Sequence, residues 1–102
     1  MGFEFAAQLP ADVSLDLESI AQSLRNSGRY EIESQSPSEL KLRYAKQPRC
    51  DEWPEDIAIS LEGSQLYVLV HAGTKTQRAL LLDDLAKAVS IASNRAIVFN
   101  EL

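Results

Sequence analysis

DIAISLEGSQLYVLVHA, running from Asp56 to Ala72, is the stretch whose reading decides the fold. Ile57, Ile59 and Leu61 alternate with Ala58, Ser60 and Glu62, the period of a strand buried on one side. Gly63-Ser64 stands where a two-residue hairpin loop is needed, and Leu66 to Val70 runs apolar on both faces. Such a loop predicts the pairs Leu61 with Leu66, Ile59 with Val68 and Ile57 with Val70, all pointing to one core. The other face then carries Ser60 beside Tyr67, Ala58 beside Leu69 and Asp56 beside His71.

Upstream, a second hairpin is predicted on the same grounds. Tyr30 and Ile32 alternate with Glu31 and Glu33, and Leu40, Leu42 and Tyr44 with Lys41 and Arg43, around a Ser36-Pro37-Ser38 loop. Placing Ile32 opposite Leu42 sets Tyr30 against Tyr44, Glu31 against Arg43 and Glu33 against Lys41. Apolar pairs then share one face and opposite charges the other, which specifies the register.

Two helices flank these hairpins. The first follows a strand at Phe3, Phe5 and Ala7 that Pro10 ends. Asp12 or Ser14 is its expected cap, and Val13, Leu17, Ile20, Ala21 and Leu24 form its apolar stripe. Gly28 is its stop. The second starts after Gly73 with Thr74 or Thr76 as cap and buries Leu81, Leu85, Ala88, Val89 and Ala92, with Lys75, Arg78, Asp83, Asp84 and Lys87 on its wet side. Asn94 ends it, and Ala96 to Phe99 reads as a last strand.

The order β-α-β-β-β-β-α-β implies an α+β two-layer sandwich: one mostly antiparallel sheet with both helices on one face. The order resembles a ferredoxin-like β-α-β-β-α-β chain with an additional hairpin, a likeness of fold that carries no function. The 102 residues suit one domain spanning 1–102.

Composition narrows the function classes. Hydrophobic residues make up 45% and charged residues 25%, as in ordinary globular chains. A net charge of −5 disfavours nucleic acid and anionic membranes as partners and favours a basic protein. The single cysteine, Cys50, forms no internal disulfide, and with no apolar run of membrane-spanning length the chain reads as cytoplasmic.

No glycine-rich phosphate loop, no set of zinc ligands and no calcium-loop pattern is present, so neither cofactor nor metal is expected. Gly73-Thr74-Lys75-Thr76 reads as a helix cap. The chain is therefore expected to be a non-enzymatic protein-binding module of inhibitor, adaptor or immunity type. Its candidate surface is the uncovered sheet face (Arg43, Tyr67, Leu69 and His71) together with the connector residues Asp51, Glu52, Trp53 and Glu55.

Trp53 lies between a basic run (Lys41, Arg43, Lys46, Arg49) and an acidic one (Asp51, Glu52, Glu55, Asp56), and either anchors a partner or folds back on the core. Two alternatives stand beside this reading. One is a small-molecule or catalytic domain that uses His71 with Cys50 or Asp56. The other is a self-associating subunit, a homodimer through the same open face.

Overall fold

The computed structural model describes residues 2–45 and 55–102. The eight elements are β1 (Phe3–Gln8), α1 (Leu17–Ser27), β2 (Tyr30–Gln35), β3 (Glu39–Tyr44), β4 (Ile57–Glu62), β5 (Gln65–Val70), α2 (Lys75–Ser93) and β6 (Asn100–Glu101). They form a sandwich of one six-stranded sheet, in the order β2-β3-β4-β5-β1-β6 with every pair antiparallel, and two helices. Taking out β3 and β4 leaves β2-β5-β1-β6, so these two strands sit in the middle of the sheet and not at its edge.

The central hairpin has the predicted register. Leu61 faces Leu66, Ile59 faces Val68 and Ile57 faces Val70, and Gly63 takes the left-handed backbone its turn needs, with φ 59°. Extending the pairing by one step, the His71 amide donates to the Asp56 carbonyl at 2.8 Å. The core lies between this sheet and both helices. Phe5, Ala7, Leu40, Leu42, Ile57, Ile59, Leu66, Val68 and Val70 meet Leu17, Ile20 and Leu24 of α1 and Leu81, Leu85 and Val89 of α2.

Four local expectations need correction. Helix α1 starts later than predicted: Asp16, not Asp12 or Ser14, is its cap and accepts from the Glu18 amide at 2.9 Å, while Val13 stays outside the helix. The reason is a separate turn after Pro10, in which the Val13 amide donates to the Pro10 carbonyl at 3.0 Å. In the β2–β3 hairpin Tyr30–Tyr44, Glu31–Arg43 and Ile32–Leu42 pair as expected, but the register then shifts and Lys41 faces Ser34. Glu33 is the extra residue of a bulge, which bends an edge strand and blunts its unpaired side.

The third correction concerns α2. Its N-terminus is the expected one, with Thr74 and Gln77 forming a capping box. Asp84, however, is not on the wet side but only 6% exposed, and Ala92 is exposed. The fourth is the last strand. Ile97 is buried and Phe99 packs on the core, so the apolar run closes the sandwich as irregular chain. Pairing with β1 begins only at Asn100, opposite Ala6, and continues to the Leu102 amide, which donates to the Glu4 carbonyl at 2.8 Å.

Candidate functional site

Strand alternation decides which residues reach the helix-free face. With Phe5 and Ala7 inward, β1 turns Glu4, Ala6 and Gln8 outward; β5 turns out Tyr67 and Leu69, β4 Ala58 and Ser60, and β3 Lys41 and Arg43. Tyr67, Leu69 and His71 are all half-buried and share this face with Arg43, so four of the candidate residues are brought together. Tyr67 stands opposite both Ala6 and Ser60, and its hydroxyl donates to Glu4 Oε1. Ala6, beside Tyr67 on β1, is left 4% exposed. A small apolar strip of Ala6, Ala58, Tyr67 and Leu69 therefore runs across the middle of the sheet.

The cations of this face are already engaged. Arg43 reaches Glu31 Oε2 at 3.2 Å and Glu33 Oε2 at 3.0 Å, so the bulge gives it two carboxylates instead of one. Lys41, displaced from Glu33, lies 3.7 Å from both Glu39 and Glu55. Glu55 is 5% exposed, a buried carboxylate at the end of the connector. No Lys or Arg among the described residues pairs with Glu4 or Glu62, which border Tyr67. Among the described residues the face is thus negative around an apolar centre.

Asp56 stands beside His71 and also has a structural task. Its Oδ2 accepts from the Tyr44 amide at 3.0 Å in a buried position, and so continues the β3–β4 ladder with a side chain where the connector leaves it. Cys50, Asp51, Glu52 and Trp53 lie outside the described residues. Among the described residues no three His, Cys, Asp or Glu side chains converge as a metal site, and no helix is long and apolar enough to cross a membrane.

One cluster escaped the sequence reading. Asp84 Oδ1 and Oδ2 accept from Arg29 Nη2 at 2.6 Å and Nε at 3.0 Å, and Oδ2 also accepts from the Tyr30 hydroxyl at 2.7 Å. The signal was present, because Asp84 follows Leu81 by three and precedes Ala88 by four, the spacing of the buried stripe.

All three tyrosines are held in the protonated form. Burial, then the hydrogen bond to Asp84, raises Tyr30; burial with Asp56 nearby raises Tyr44 to about 12; the hydrogen bond to Glu4 raises Tyr67. A group whose folded pKa lies above its unfolded value binds its proton more tightly when folded. Its contribution is full below the ordinary value of 10 and is lost as pH rises through the folded pKa, about 12 for Tyr44. Urea midpoints are expected to fall across that alkaline window, with tyrosinate absorbance appearing late. Titration of all three phenols near 10 in the folded protein would contradict this.

This arrangement defines a class, a small α+β sandwich with one acidic, hydrogen-bonded sheet face. Beyond that class, no family model matches the chain, and comparison with curated proteins and with solved structures finds no similar protein.

Proposed function

We propose that this chain is a non-enzymatic protein-binding module whose helix-free sheet face receives a basic partner. The observation that supports this is the charge arrangement. Arg43 and Lys41 are held by carboxylates of their own face, while Glu4 and Glu62 are left to flank the Tyr67–Leu69 strip. A partner with Lys or Arg around an apolar contact complements that pattern in sign and steers onto it. Inhibition of a basic enzyme or toxin is one use of such a surface.

The test is calorimetric. A partner recovered with the native protein is titrated against the wild type, Tyr67→Ala and Glu4→Lys/Glu62→Lys. The partner is expected to be basic, and its affinity to fall with added salt. Each variant is expected to weaken binding by at least about tenfold, as for residues at the centre of an interface. An acidic partner, or variants that bind as well as the wild type, would overturn the proposal. So would sedimentation showing that the face is occupied by a second copy of the chain.

A further inference from the structure

A cleft of about 330 Å³ opens on the other layer, where the end of α1, the start of β2, the end of β3 and the first turns of α2 meet. Its walls are aromatic and apolar. Tyr30 and Tyr44 stand with ring centroids 6.1 Å apart, tilted by 40°, and Leu80 lies 41% exposed beside them. An apolar side chain of that size left in water next to two buried rings is the usual lining of a small-molecule site.

The polar side chains of the described lining that are not aromatic are Arg29 and Gln77, and the Gln77 Oε1 is occupied by the Thr74 amide. Asp84 engages Nε and Nη2 of Arg29, so Nη1 points away from that carboxylate. The Tyr44 hydroxyl has no hydrogen-bond partner among the described residues, although Tyr44 is only 5% exposed. That hydroxyl is itself closed to solvent and lies against Gly73, so a ligand in the cleft meets the ring of Tyr44 and not its oxygen. Among the described residues Arg29 is the one charged residue of the lining, and none of those residues is a carboxylate; Asp84 holds the guanidinium from behind.

We propose that this cleft binds a small aromatic carboxylate, with its ring against Tyr30, Tyr44 and Leu80 and its carboxylate on the Arg29 guanidinium. A volume of about 330 Å³ is at the small end of ligand clefts, which suits a single-ring ligand. The site is separate from the sheet face proposed above, and neither depends on the other.

The probe is benzoate, followed by amide chemical shifts of the full chain. With about nine non-hydrogen atoms it is expected to bind with a Kd on the order of 1 mM and to move the Gly28, Arg29 and Tyr44 signals. Benzamide, which has the ring without the charge, and acetate, which has the charge without the ring, are expected to bind at least tenfold more weakly. Leu80→Glu sets a carboxylate at an exposed rim position, so the fold survives, and it is expected to weaken benzoate at least tenfold. Arg29→Lys keeps a cation for Asp84 but removes the fork, and a similar loss is expected. Benzoate that fails to saturate, acetate that binds equally well, or either variant binding as the wild type would overturn the proposal.

Discussion

Asp84→Ala is expected to lower the stability of the fold by about 3 kcal/mol, the upper end of what a buried hydroxyl left without a partner costs. The Tyr30 hydroxyl loses its acceptor, and Tyr30 is only 5% exposed. Arg29 loses both of its bonds as well, but its side chain is 46% exposed and turns to solvent. The imbalance has a consequence for the double variant. With Tyr30→Phe added, no orphaned hydroxyl remains, and much of the loss is expected to return. Urea denaturation of the two single variants and the double variant measures this. A double variant as unstable as the sum of its parts would show that Asp84 acts through something other than Tyr30.

The second large effect is expected at Gly73. Its φ of 118° is one that side chains rarely adopt, and a Cβ there would meet the Tyr44 hydroxyl at 2.7 Å and ring carbons at 2.8 and 2.9 Å. Strained backbone costs about 1–3 kcal/mol and overpacking a similar amount, so Gly73→Ala is expected to lose about 3 kcal/mol or more. Gly28→Ala is the control, since its φ is also positive at 76° but nothing lies within 4 Å of the added carbon. That variant is expected to lose only the backbone part, about 1 kcal/mol. Equal losses at the two positions in thermal or urea unfolding would mean that the Tyr44 ring yields without cost. Combining Gly73→Ala with Tyr44→Leu then isolates the collision, because only the contact part should be relieved.

These two sites also mark what the sequence displayed and what it hid. The central hairpin was legible because Ile57, Ile59 and Leu61 obey a strict period of two, and a one-residue slip would have moved all three into water. The ends of α1 and β6 were not, because a cap is chosen among several acceptors within a few residues. Asp12 lost that competition and pairs instead with Arg95, a contact between chain segments that local reading does not see. Asp84 was misplaced because a carboxylate was assumed to face water, although its position in the helical period put it inward. The bulge at Glu33 left no mark in the residue pattern, and with it went the second carboxylate of Arg43. The residues of the sheet face were legible from alternation alone, whereas their hydrogen bonds, such as Tyr67 to Glu4, came from a strand some sixty residues away.

That last separation bears on how the chain comes off the ribosome. Phe3 pairs with Val70 and Phe5 with both Val68 and Glu101, so β1 has both its neighbours, β5 and β6, far along the chain from it. Strands β2 to β5 find partners as they emerge, each beside the one before. Until β5 and β6 have been made, β1 holds two phenylalanines and two open edges, and for that interval it is an aggregation-prone segment.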